Sequence, residues 1–457
     1  MAFSTPRAAV AAALFALPLA ASAQPAPPPP GGPVGVVTVD GTLADSPYTL
    51  LATDGGRAAL GFGPDNQLNA LYAHVDPAAG RLNIGIAGIT ERNDNVGARN
   101  SVVVFLDTKA GGFTSFDYDR SNGPDFGNGV TNLNSGSAFD VGFTADYALQ
   151  VGCDAAQCYA NLYTLRTAAA GGGSNLFIGN STDPDFAVSR PATAQDSRTQ
   201  GFEVSLSYST DGTGADLALD RHSVQMFALI TSASGFVSDQ FLTPADAAAG
   251  NYGNGAADFE QSAPGPVSLV WQTVAGRHGW RHLAWPVAGG TVANYAAQNF
   301  VQGPGTAFPT GNANVILGYS GSQYVEATAL ADPLASGRGQ FWYHYDAADF
   351  PGGAVPPGSN FQPLPYTLVA GGVEPQGDVQ TFFSEITPAG IFVMAGNPFA
   401  LDFDLAGIES SSSSALPGPL AYVWDPDMGA AGGYVTIDRN APSQADRTVA
   451  PMQGFLV

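Results

Sequence analysis

The chain has 457 residues, including 57 Gly and 34 Pro, and 45% of it is hydrophobic while only 12% is charged. That composition is rich enough in apolar residues for packed cores and too rich in turn formers for a helical bundle, so both disorder and an all-helical fold are excluded. With 39 acidic against 16 basic residues the formal charge is −23, which disfavours nucleic acid and anionic membrane surfaces as partners.

Residues 1–23 read as a signal peptide. Arg7 precedes the apolar run 8–20, which is too short to span a bilayer, and Ala21-Ser22-Ala23 before Gln24 is a small-x-small cleavage site. No later segment offers a membrane-length apolar run, so no membrane insertion is expected after cleavage. Residues 24–35 (QPAPPPPGGPVG) form a proline-rich, extended leader.

From residue 36 to 245, short β-branched and aromatic runs alternate with Gly, Asn, Asp and Pro clusters, the pattern of a β-sandwich. Glu203 lies in the alternating run Phe202-Glu-Val-Ser-Leu-Ser and is expected on a solvated face. Cys153 and Cys158, between two strand-like flanks, are expected to form a disulfide across a hairpin turn, with Cα atoms roughly 4.4–6.8 Å apart. Asp117, Asp119 and Asp125, with Asn122 in a glycine-bearing turn, are weak candidates for Ca2+, which favours oxygen ligands. Asp211 and Asp216 are a weaker pair, and ordinary Asx-turn chemistry explains both sets as well.

Residues 246–266 are poor in periodicity and read as a linker, with all five tryptophans beyond them. Brief helices are expected only near 243–250 and 290–298. In the segment 267–457, Trp280–Pro286 can be laid over Phe392–Pro398, Tyr324 over Tyr434, and Gly339 over Gly454, in order and at a nearly constant offset of about 110 residues. The expectation is two copies of one β unit, about 275–375 and 385–457, with the chain stopping inside a strand and its C-terminal part missing. The fold class is therefore all-β: an N-terminal β-sandwich followed by a second, internally duplicated β-rich region.

Catalytic patterns are not found. The seven glutamates sit in no recognisable motif, no G-x-S-x-G elbow occurs, and His278 and His282, four apart, suggest no third metal ligand. In Phe341-Trp-Tyr-His-Tyr345 the rings of 341, 343 and 345 share one strand face and those of 342 and 344 the other. An exposed face of this kind would stack on sugar rings, and Trp280, Trp342, Tyr343 and Trp424 are the stacking candidates.

Val39-Asp-Gly-Thr-Leu43, Leu71-Tyr72, Arg81-Leu-Asn-Ile-Gly-Ile and Val104-Phe-Leu-Asp-Thr108 with Gly111-Gly112 resemble the DOMON-like sandwiches related to family 9 carbohydrate-binding modules. The resemblance covers roughly 36–245 and implies a sugar- or cofactor-binding sandwich without chemistry of its own, although this segment lacks the tryptophans that commonly clamp sugar. Gly279-Trp-Arg, Trp285-Pro-Val, Gly396-Asn-Pro-Phe399, Val423-Trp-Asp-Pro426 and Ala450-Pro-Met-Gln-Gly-Phe455 resemble repeat regions of exported, type IX secretion-associated proteins of Bacteroidota-type bacteria. Together they imply a secreted or surface protein of a Gram-negative bacterium. The expected function is a non-enzymatic adhesion or carbohydrate-binding component whose partners are polysaccharide or cell-surface material. The alternatives are a hydrolase with an unrecognised or missing catalytic part, and a structural stalk.

Overall fold

The computed structural model describes residues 36–457 except 45–46, 55–61, 63–64, 93–98, 116–138, 140–142, 167–173, 191–197, 210–216, 220–221, 243–250, 253–266, 320–323, 376–378, 380–391, 409–418 and 430–431. The signal peptide, the leader, the turns carrying Asp117, Asp119, Asp125, Asp211 and Asp216, and most of 246–266 lie outside the described residues. No helix among the described residues is long and apolar enough to cross a membrane.

The protein is all-β. A six-stranded sheet contains β1 (Thr49–Thr53), β2 (Gln67–Asp76), β3 (Arg81–Ile89), β8 (Phe186–Val188), β9 (Gly201–Ser209) and β10 (Leu217–Ala218). It packs against a nine-stranded sheet of β4 (Asn100–Asp107), β5 (Tyr147–Cys153), β6 (Cys158–Thr164), β7 (Ser174–Asn180), β11 (Ser223–Ser232), β12 (Val237–Leu242), β13 (Asn251–Tyr252), β14 (Val267–Val274) and β19 (Tyr366–Val373). Alternation does the work: Val102, Val104 and Leu106 of β4 enter the core between the sheets with Ile84, Ile86 and Leu206. Val103 and Phe105 point the other way, under Phe139, Phe143 and Phe227. Because β4 is covered on both faces, its sequence reads as a continuous apolar run instead of an alternating one.

The outer face of the six-stranded sheet is covered by Val37, Leu43 and Tyr48, which corrects the expectation for Glu203. That side chain is fully buried, and its carboxylate accepts from Asp40 N (2.7 Å), Gly41 N (2.6 Å) and Tyr48 Oη (2.9 Å). Gly41 stands at φ +85°, where a Cβ would lie 2.1 Å from Ser189 N, so only glycine allows the approach. The alternating sequence puts Glu203 on the outer face correctly, but chain from more than 150 positions away covers it.

The expected boundary at 246–266 does not separate two sheets. β14 pairs antiparallel with β11 on one side and β19 on the other, so 267–274 and 366–373 belong to the first sheet. Trp271 and Val369 contribute to the sandwich core, and the two halves therefore share it. β14 is apolar on both faces, Leu269 and Trp271 toward one core and Val270 and Val274 toward the next. Composition marks the turns of such a segment and is silent about its strand partners.

Two four-stranded antiparallel sheets follow. The first contains β15 (Gly279–Ala284), β16 (Val315–Tyr319), β17 (Tyr324–Glu326) and β18 (Gly339–His344), with one helix, α1 (Val292–Ala296), after β15. The second contains β20 (Met394–Gly396), β22 (Leu420–Asp425), β23 (Gly433–Asp438) and β25 (Gly454–Leu456), beside the small pair β21 (Phe403–Asp404) and β24 (Thr448–Val449). Their strand orders are β15-β18-β16-β17 and β20-β25-β22-β23, which is one topology.

The contacts between these sheets are reciprocal. Ala284 pairs with Gly339 and Gly396 with Gly454, and across the interface Gly396 N donates to Gly337 O (3.1 Å) while Ala284 N donates to Met452 O (2.9 Å). Leu283 bridges Gln453 as Arg338 bridges Ala395. Such swapped pairs define an approximate two-fold relation between the units, as in an isologous dimer interface. Gly337 (φ +77°) and Met452 (φ +62°) occupy matching left-handed positions, and Met452 is the one non-glycine there among the described residues. By this register Phe455, paired with Ala395, stands where Gln340 stands in the first sheet; Leu456, paired with Met394, matches Phe341.

Candidate functional site

The disulfide forms, with S–S 1.97 Å, but its Cα atoms are 3.9 Å apart, closer than expected. Cys153 and Cys158 are direct cross-strand partners in a non-hydrogen-bonded position, while Asp154 N and Gln157 O close the turn (2.8 Å), and such positions bring Cα atoms nearest. Both cysteines are buried in the sandwich core.

The four stacking candidates divide. Trp342 is fully buried, stacked on Tyr295 at 4.4 Å with Nε1 donating to Phe300 O (3.4 Å), so it is a core residue and not a stacking surface. Strand alternation explains the correction: Trp342 faces the apolar side that packs on β14 and β19, with Leu368 and Ala370. Trp280 and Tyr343 are direct partners on the opposite face, half-buried, with ring centroids 5.4 Å apart. A chain of contacts runs Tyr345–Tyr343 (4.8 Å), Tyr343–Trp280, Trp280–Phe341 (6.3 Å), Phe341–Tyr324 (6.3 Å) and Tyr324–Tyr319 (5.3 Å).

The second unit carries its own set. Trp424 contacts Tyr434 (4.9 Å), Tyr434 contacts Tyr422 (6.4 Å), and Tyr422 contacts Phe392 (5.5 Å). Desolvation raises the Tyr434 phenol above its ordinary value, and the charge of Tyr324 in the first set raises it further. Tyr324, Phe392 and Tyr434 are the exposed rings, at 56%, 53% and 39%. The contacts are edge-to-face, so the rings brace one another.

His278 and His282 do not share a site. His278 is exposed, with Nδ1 2.7 Å from Asp349 Oδ2. His282 is buried between the units, its ring stacked on Phe341 at 4.4 Å, with neither nitrogen hydrogen-bonded, and burial lowers its pKa to about 3. Among the described residues no group of three or more His, Cys, Asp or Glu side chains converges as a metal site.

One acidic pair escapes a motif search. Asp146 accepts from the backbone N–H groups of Thr108 (2.9 Å) and Lys109 (3.1 Å), while Asp107 accepts from Thr144 N (3.1 Å) and Oγ1 (3.0 Å). Each carboxylate holds the segment next to the other, and burial pushes Asp146 up to about 6, aided by the charge on Asp107. The signal available in the sequence was an Asp at the end of one strand run and another just before the next. It does not say that the two meet.

Comparison with protein-family models, with curated proteins and with solved structures finds no match for this chain.

Proposed function

We propose that the protein is an exported, non-enzymatic component of a bacterial surface or matrix that binds an extended polysaccharide weakly along the ring strip of its C-terminal units. The observation that carries this reading is the two ring sets, from Tyr345 to Tyr319 and from Trp424 to Phe392, with Tyr324 and Tyr434 exposed, one in each. Rings presented in a row by strands of two linked sheets offer repeated stacking to successive sugars, and phenol hydroxyls add hydrogen bonds. The formal charge of −23 favours neutral glycans, or acidic ones bridged by calcium, for which Asp117, Asp119 and Asp125 are the proposed ligands.

The test is retention of the mature chain on a panel of insoluble polysaccharides, with calcium and with chelator, together with an assay of reducing ends. Expected is retention on at least one neutral glycan, lowered about tenfold in Tyr324→Ala/Tyr434→Ala, with no release of reducing ends. Retention that the double variant leaves unchanged, or sugar released at an enzymatic rate, refutes the proposal.

A further inference from the structure

β23 (Gly433–Asp438) is the outer strand of the second unit's sheet, and β22 is its one neighbour among the described residues. Its six residues pair with β22 in succession, without a register shift. Tyr434 (39%), Val435 (41%) and Thr436 are exposed, and because successive side chains on a strand point to opposite sides, both faces of this edge meet solvent. The outward N–H and C=O groups of such a strand find no partner within the sheet, which makes an open edge a template for another strand.

The other edge strands among the described residues each carry a feature that blunts them. β8, β10, β13, β17, β20, β21 and β24 are two or three residues long. The ladders of β1, β7 and β17 are interrupted by register shifts, at Leu50/Ala52, Ala160/Asn161 and Ile316/Gly318. β15 is closed off by the second unit, where Leu283 bridges Gln453. β19 exchanges two hydrogen bonds at Val369 with the Gln298 side chain (2.7 Å each) and accepts a third at Val373 O from Ala288 N (2.8 Å). β23 has none of these features: it is regular, it holds no Lys or Pro, and its one charge is Asp438 at the end.

An unblunted edge selects a strand as its partner, because a strand presents N–H and C=O groups at the matching spacing. The sequence of β23 suits a second copy of itself. About a two-fold axis at Thr436, antiparallel pairing sets Thr436 against Thr436, Val435 against Ile437 and Tyr434 against Asp438. The faces stay matched in this register, since Val435 and Ile437 share one side of the strand and Tyr434, Thr436 and Asp438 the other. Apolar side chain then meets apolar, hydroxyl meets hydroxyl, and each carboxylate lies opposite a phenol able to donate to it. Two copies of a chain with formal charge −23 repel one another overall, and this register sets no like charges opposite each other.

We infer that β23 is a self-association edge, at which two copies of the chain join by antiparallel β23–β23 pairing about Thr436 and their second-unit sheets become one. The inference stands apart from the glycan reading. Six residues a side form a small interface, so the dimer is reversible, with a Kd of about 1–100 µM. The experiment is sedimentation equilibrium of the mature chain at concentrations below and above that range, with circular dichroism to show that each variant keeps the wild-type fold. Expected is a reversible monomer–dimer equilibrium. Thr436→Lys sets two ammonium groups against each other at the axis and raises Kd at least about tenfold, an effect that added salt reduces. The two native cysteines are bonded to each other, so an introduced thiol finds its partner only in another chain. Thr436→Cys gives a cross-linked dimer on mild oxidation, whereas Asp438→Cys, roughly 13 Å from its copy in this register, gives none. A chain that stays monomeric throughout, a dimer that Thr436→Lys leaves unchanged, or a cross-link through Asp438→Cys in place of Thr436→Cys overturns the inference.

Discussion

Replacing His282 by Met, the residue at the matching place in the second unit, is expected to remove a stability loss that acid imposes through this ring. Burial holds the buried imidazole at about 3, against roughly 6.5 in an unfolded chain. The folded state therefore binds the proton less readily than the unfolded state. The stability contributed by the neutral ring is complete above about pH 6.5 and is lost as pH falls from there toward 3, at about 1.4 kcal/mol per pH unit. By about pH 5 the loss is about 2 kcal/mol. His344, also lowered to about 3 by burial and by nearby Arg281, adds a parallel slope. Asp146 runs the other way: pushed up to about 6, it contributes stability below the ordinary Asp value that is lost as pH rises through 6. Between about pH 6 and 5 wild type should thus lose more stability than His282→Met, by about one proton's slope. The assay is guanidinium unfolding of both proteins at several pH values between about 7.5 and 5. The difference between them isolates His282, since the other groups are common to both. A stability gap of the same size at both ends of that range would refute the argument that the ring is buried neutral.

Three further outcomes rest on other parts of the fold. Glu203→Gln keeps one carbonyl oxygen for the N–H groups of Asp40 and Gly41 but removes the charge and turns an amide N–H₂ toward Tyr48 Oη, and should cost about 1–2 kcal/mol and expose the segment around Asp40 to limited proteolysis. Gly454→Ala places a Cβ 2.6 Å from Leu283 O at the interface of the units and should cost about 1–3 kcal/mol in thermal unfolding, while Gly407→Ala, with its nearest neighbour at 3.9 Å, should shift little. Cys153→Ser/Cys158→Ser opens a small loop and should lower stability by about 2 kcal/mol in denaturant, with the secondary structure seen by circular dichroism unchanged.

The all-β class, the hairpin disulfide and the brief helix at Val292–Ala296 were legible in the sequence because each is a local property. Period-two alternation, turn residues and two cysteines on flanking strands are read within a dozen positions. Alternation also separated Trp342 from Tyr343 onto opposite faces, but which of those faces is covered depends on β14 and β19, distant in the chain. Glu203 failed for the same reason: its face was right, and its cover comes from Asp40, Gly41 and Tyr48.

What the sequence determined by itself is where strands, turns and the one close cysteine pair occur, since backbone preference and side-chain period act between neighbours. Tertiary structure alone decided that β14 and β19 join the first sandwich, and that Leu283 meets Gln453 as Ala395 meets Arg338. It alone decided that a cavity opens between the end of β14, the start of β15 and the second unit. Sheet membership and cavity volume are set by which distant surfaces exclude water together, and no local pattern carries that information.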